Sequence, residues 1–143
     1  MQNAKDQIAV RGMSLVLRTE TALRAEFTMG TKSETEKYNM SEFDFAAYQV
    51  VDENTLLEVE GRSGNYQGTD FFEIIGINPA ELSNHYRIIV TRKADAAVVT
   101  EINYSPFTYL NSMYNNAAAT QKLKDVIVSM YRYNEAAKVY QGN

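Results

Sequence analysis

Tyr86-Arg87-Ile88-Ile89-Val90-Thr91-Arg92 and Val98-Val99-Thr100-Glu101-Ile102 are two runs dominated by β-branched and apolar residues, joined by Lys93-Ala94-Asp95-Ala96. Branching at Cβ stiffens a side chain against a helical backbone and suits a pleated surface, so the pair predicts a β-hairpin. Toward the start of the chain, Met13, Leu15 and Leu17 alternate with Ser14, Val16 and Arg18. After a turn at Thr19-Glu20-Thr21-Ala22, Leu23, Ala25, Phe27 and Met29 alternate with Arg24, Glu26 and Thr28. Such alternation marks strands with one face on a core and one in water, and it predicts a second hairpin.

Phe43, Phe45, Tyr48, Val50 and Val51 predict another strand, turned at Asp52-Glu53-Asn54 into Thr55-Leu56-Leu57-Glu58-Val59-Glu60. Phe71 to Ile75 is an apolar burst suited to an interior strand. Asn78-Pro79 ends it, with a short helical turn at Ala80-Glu81-Leu82. Two stretches show no period. Gly30 to Glu42 is polar and predicts a long exposed loop, and Gly61 to Gly68, with three glycines, predicts a flexible one. About seven short strands punctuated by turn residues favour a two-sheet sandwich over an α/β layout.

The period changes at Ser105-Pro106. Serine is suited to accept from a free helical amide, and proline at the first helical position loses no needed donor, so a helix is predicted over about 105–116. A second follows over about 120–140, with Leu123, Val126, Ile127, Met130, Asn134 and Ala137 at helical spacing. Leu123, Ile127, Met130, Asn134 and Ala137 are therefore the expected helix–sheet contact. An unpaired buried amide costs about 1–3 kcal/mol, so Asn134 is expected to bond a backbone group of the sheet. The organisation is thus one domain over 1–143: a β-sandwich over about 13–103, with two helices packed on it.

At 143 residues, 45% hydrophobic and 22% charged, the chain has the composition of an ordinary single globular domain. A net charge of −4 and a pI of about 5.0 supply no broad positive field for phosphate backbones or anionic lipid, so nucleic acid is not an expected partner. No window approaches the roughly 20 apolar residues of a membrane-spanning helix, and no membrane insertion is expected. Met1 to Arg11 holds only Ile8-Ala9-Val10 as an apolar run, short of a signal-peptide core of about 7–15 residues. The absence of cysteine removes disulfides, thiolate metal sites and cysteine nucleophiles.

Ser105-Pro106 with Tyr109, Leu123-Lys124-Asp125, Tyr131, Tyr133-Asn134, Ala136-Ala137 and Tyr140 resemble, in that order, the close of a module found in secreted and cell-surface multi-modular proteins of anaerobic Gram-positive bacteria. Leu23-Arg24-Ala25-Glu26-Phe27 and Tyr86-Arg87-Ile88-Ile89-Val90-Thr91 are similar to strands of the same module, so the likeness runs from about Met13 onward. The resemblance implies an immunoglobulin-like two-sheet sandwich with a C-terminal two-helix appendage. It also implies an extracellular or cell-surface location and an accessory role beside neighbouring domains or a cell-surface protein. Gly30 to Gly68 departs most, being richer in charge.

Ten tyrosines and no tryptophan supply flat apolar faces with a polar tip. Tyr109, Tyr114, Tyr131 and Tyr140 fall at helix positions where packing accounts for them. Tyr38 and Tyr66 fall in the loop stretches with Asn65 and Asp70 nearby, and these four are the candidate ligand-binding residues, a glycan being the ligand such a set would take. His85 is the only histidine and has no nucleophile motif with it, so a strand-edge hydrogen bond is expected of it. The carboxylate pairs Glu34/Glu36, Glu42/Asp44, Asp52/Glu53 and Glu58/Glu60 read as solvated faces. Calcium needs six to eight oxygens, and Asn65 to Asp70 is a weak match to such a loop. The expectation is a non-catalytic protein with no metal and no cofactor, serving a structural or protein-docking role, with carbohydrate binding through loop tyrosines as the alternative. An open apolar strand edge or helix face would favour docking, and Tyr38 and Tyr66 on one surface would favour the glycan.

Overall fold

Leu23, Ala25 and Phe27 are sealed from water while Arg24, Glu26 and Thr28 between them face outward, as period-two alternation requires. A computed structural model describes residues 7–17, 20–116 and 118–140. Met1–Asp6, Arg18, Thr19, Ala117, Gln141, Gly142 and Asn143, and the side chains of Lys138, Val139 and Tyr140, lie outside the described part. The strands are β1 (Ile8–Leu17), β2 (Thr21–Met29), β3 (Phe43–Asp52), β4 (Thr55–Glu58), β5 (Gly61–Tyr66), β6 (Thr69–Ile77), β7 (His85–Arg92) and β8 (Val98–Tyr104). The helices are α1 (Pro106–Tyr114) and α2 (Gln121–Tyr140), and 3-10 turns occupy Met40–Glu42 and Pro79–Glu81.

All pairings are antiparallel, in two four-stranded sheets ordered β1-β2-β6-β5 and β4-β3-β7-β8. Lettered in chain order, this is the A-B-E-D and C′-C-F-G arrangement of immunoglobulin-like sandwiches. The aromatic side chains lock the sheets together: Phe45 of β3 lies 5.5 Å from Phe27 and stacks on Phe72 at 5.2 Å, centroid to centroid. Ile74, Ile88 and Val90 complete the sealed interior.

Tyr86, near the start of β7, is buried, and its hydroxyl donates to the Glu81 carbonyl at 3.5 Å. This is the tyrosine corner of the immunoglobulin pattern, and Ile88 stands two residues on, where antibody domains place a cysteine. Burial, and then the charge of Glu81, push the Tyr86 phenol well above its ordinary ionisation range, while Asn84 pulls the other way.

Four expectations are corrected. The first strand begins at Ile8, itself buried, with a bulge between Val10 and Gly12 that restores the inward alternation; Thr21 already pairs with Leu17, so the turn is shorter than the four residues expected. Gly61 to Gly68 is not a flexible loop, because its first six residues are β5. A Cβ on Gly61 or Gly64 would lie 2.3 Å from Phe72 Cζ or 2.4 Å from Phe71 Cζ, so these glycines are the flat bed on which the rings of β6 rest. Only Gln67 and Gly68 turn the chain, both at positive φ, as a two-residue hairpin requires. Gly30 to Glu42 is exposed as expected but folded back on itself: Thr31 bridges Lys37, and Asn39 and Glu42 form a reciprocal capping box. Eight strands replace seven because β5 is one of them.

Fourth, the seat of α2 is the β6–β7 corner and α1 rather than a sheet face. Ser105 caps α1 by accepting from the Thr108 amide at 3.3 Å, and the Phe107 amide donates to Leu82 O at 3.1 Å, which fixes α1 to the corner. Tyr131 of α2 lies against Phe107, ring centroids 4.1 Å apart, and its hydroxyl donates to the Phe107 carbonyl at 3.4 Å. The helices therefore brace one end of the sandwich.

Candidate functional site

Of the four candidate ligand residues, Asn65, Tyr66 and Asp70 share the β5–β6 hairpin, and Tyr38 lies apart from them. Tyr66 ends β5 and is 62% exposed, beside a cavity of about 310 Å³ lined by Arg11, Arg24, Glu26, Gln67, Thr69 and Phe71. Arg24 supplies part of its floor by lying 3.7 Å above the Phe71 ring, and Arg11 donates to Thr69 Oγ1 at 3.0 Å. Tyr38 is half-buried, 6.2 Å from Phe43, and lines a different cavity of about 420 Å³ with Arg92 and Lys93. The two cavities share no lining residue.

Asn65 and Asp70 face each other across the β5–β6 ladder. Asn65 donates to Asp70 Oδ1 at 3.0 Å and accepts from the Gly68 amide at 3.2 Å, so the pair staples the hairpin turn. His85 is exposed at the start of β7, opposite Val50.

Beneath the Tyr66 cavity, Arg24, Glu73 and Arg62 form one cross-strand row on the outward face. Glu73 is buried and takes both guanidinium Nε groups at 2.9 Å, and Arg62 reaches on to Glu20 at 3.2 Å. The carboxylate of Glu73 raises the Arg62 guanidinium further above its usual range, so Arg62 stands on this face as a cation. On the second sheet, Arg92 grips Asp95 through two bonds of 2.9 and 2.7 Å and holds its carboxyl below the usual range.

The helix residues divide between two sides. Ile127 is sealed, Leu123, Met130 and Ala137 are half-buried, and Asn134 is fully buried. The Asn134 amide donates to the carbonyl of Pro79, which belongs to the 3-10 turn and not to a sheet as expected. Val126, expected in the same stripe, is 45% exposed, and Tyr133 is 64% exposed. With Lys122, Asp125, Ser129 and Met130 they line an open, mostly apolar groove of about 460 Å³ on the side of α2 away from the corner. Sequence reasoning missed this second side. The signal was present as Val126 and Tyr133, one heptad apart and each one residue before a buried partner, Ile127 or Asn134.

Sheet two also leaves an apolar edge. All four residues of β4 are exposed, Leu56 and Leu57 among them, next to exposed Val51. Among the described residues no helix is long and apolar enough to cross a membrane. Compared with protein families, with curated proteins and with solved structures, the chain matches none of them.

Proposed function

We propose that this domain is a non-catalytic accessory module of a larger extracellular or cell-surface bacterial protein, with a structural or protein-docking role toward neighbouring domains or a cell-surface protein. The observation that carries the reading is the two-sidedness of α2. One side braces the β6–β7 corner through Ile127, Tyr131 and Asn134, and the other offers Val126, Met130 and Tyr133 in an open apolar groove. A helix that only completed its own domain would carry polar residues on that side. The extracellular location rests on the resemblance described above.

A second reading, carbohydrate binding, is favoured by Tyr66 alone: an exposed ring beside a cavity whose arginines, Gln67 and Glu26 suit sugar hydroxyls. Photo-crosslinking residues placed at Tyr133 and, separately, at Tyr66 of the full-length protein on its own cells decide between them. Protein adducts from position 133 are expected. Glycan adducts from position 66, with none from position 133, would replace docking by sugar binding.

A further inference from the structure

The groove side of α2 has the spacing of a coiled-coil seam. Lys122, Val126, Ser129, Tyr133 and Ala136 follow one another in steps of four and three residues, and all five are exposed. The Ser129 hydroxyl is engaged by its own helix, donating to the Asp125 carbonyl at 2.9 Å, so the middle of the row is small and makes no polar demand on a partner. A row of this kind is complemented by a like row on a second helix, and α2 itself is such a helix, 20 residues or about 30 Å long.

Charge selects the orientation. Asp125 and Arg132 lie seven residues apart on one flank of the row, with opposite sign. In a parallel pair that flank would face Met130 and Ala137 of the other copy, and neither charge would meet an opposite charge across the seam, Asp125 keeping only the bond it accepts from Gln121 of its own helix. In an antiparallel pair the flank meets its own counterpart, so Asp125 meets Arg132 of the second copy, and the twofold axis repeats the contact. The same register sets the Lys122 ammonium against the ring of Tyr133 of the second copy, and Val126 against its Ser129.

We propose that this chain self-associates as a twofold antiparallel dimer through the groove side of α2. The proposal rests on the docking reading and names the occupant of the groove as a second copy. One helix pair buries less than a standard interface, so the dimer is weak, with a Kd on the order of 10 µM.

Sedimentation of the purified chain up to about 1 mM, with circular dichroism to confirm intact helices, is the test. A monomer–dimer equilibrium is expected. Asp125→Arg and Arg132→Asp should each weaken it about tenfold, because reversal turns two attractions into repulsions. An equimolar mixture of the two variants should recover a heterodimer, since every charge then meets its opposite, and Val126→Glu should abolish association. A chain that stays monomeric at the highest concentration overturns the proposal. So does a dimer indifferent to the charge reversals, or one lost only with Leu57→Lys at the β4 edge. A monomer that still yields adducts with a different protein at position 133 ends the self-association proposal and leaves docking intact.

Discussion

Gly64 stands directly opposite Phe71 in the β5–β6 ladder, and the Phe71 ring occupies the space a Cβ on Gly64 would need, its Cζ 2.4 Å from that position. Two effects oppose each other in Gly64→Ala. Removing a strand glycine recovers about 0.5–1 kcal/mol of backbone entropy, while displacing a ring held under the Arg24 guanidinium costs about 1–3 kcal/mol. The clash should win. Urea denaturation is expected to show Gly64→Ala net destabilised by about 1–2 kcal/mol, and Phe71→Leu in the same chain should reduce that penalty. A neutral or stabilising Gly64→Ala would mean that the ring does not depend on the glycine.

That pair also marks where the sequence stops being legible. Alternation in Leu23 to Met29 and β-branching in Tyr86 to Arg92 announce their strands because side-chain period and burial coincide there. Gly61 to Gly68 reads as a loop because its contribution to the sheet is the absence of side chains, which becomes intelligible only when Phe71 and Phe72 of the neighbouring strand are known to lie across it. The tyrosine corner is illegible for a similar reason: Tyr86 looks like one more strand aromatic until its hydroxyl is seen to reach a carbonyl at the corner. Ile127 and Asn134 were legible as buried from helical spacing alone. What they would lie on was not, since spacing fixes a face and says nothing of its partner. Tyr38 and Tyr66 share composition and loop-like surroundings, yet topology sends them to separate cavities.

Tyr86 makes alkaline stability a readable quantity. Its phenol ionises at the ordinary value of 10.0 in the unfolded chain and higher in the fold, because burial disfavours the charged form. Its contribution is therefore fully present below about pH 10 and is lost as pH rises through the raised folded value, at up to about 1.4 kcal/mol per pH unit. Tyr86→Phe lacks the hydroxyl and should be about 1 kcal/mol less stable at pH 7. It also lacks the ionisation, so the gap to the parent should close between pH 10 and pH 11 in chemical denaturation. A gap that stays constant with pH would mean the phenol is as solvated in the fold as out of it.

The Glu73 row predicts an order of costs. Glu73 is sealed between two guanidinium groups, so Glu73→Ala leaves Arg24 confined without a counter-charge, at about 3 kcal/mol. Arg24→Ala gives up both its Glu73 bond and its contact with the Phe71 ring, but leaves Glu73 its bond to Arg62, and should cost less. Arg62 is half exposed and solvent takes over from it readily, so Arg62→Ala should cost the least of the three. Guanidinium would screen these pairs, so the ranking is measured in urea at low salt. Arg62→Ala as the costliest of the three would place the weight of the row on its exposed end.

Asn134 tests whether the helical pair is held by a specific bond or by apolar contact alone. Its amide is the donor to the Pro79 carbonyl, and its own Oδ1 is buried with no hydrogen-bond partner, so the site already carries one unmet acceptor. Asn134→Ala leaves the Pro79 carbonyl unmet and opens a small cavity, at about 2 kcal/mol. The loss should fall on α2, because the sandwich keeps its own ladders: amides of residues 121–140 should exchange faster while those of β2, β6 and β7 hold. Asn134→Asp sharpens the test. An ionised carboxylate cannot donate to the carbonyl and is buried as a charge, so it should be the worse variant at pH 7, with its pKa raised above the unfolded value. Protonation supplies an O–H donor, so this variant should regain α2 protection as pH falls through that raised pKa, whereas the Asp95 pair with Arg92 loses strength in the same direction. If Asn134→Asp lost protection equally at pH 7 and pH 5, or if Asn134→Ala loosened the strands along with α2, the amide bond to Pro79 would not be what fastens the helix to the corner.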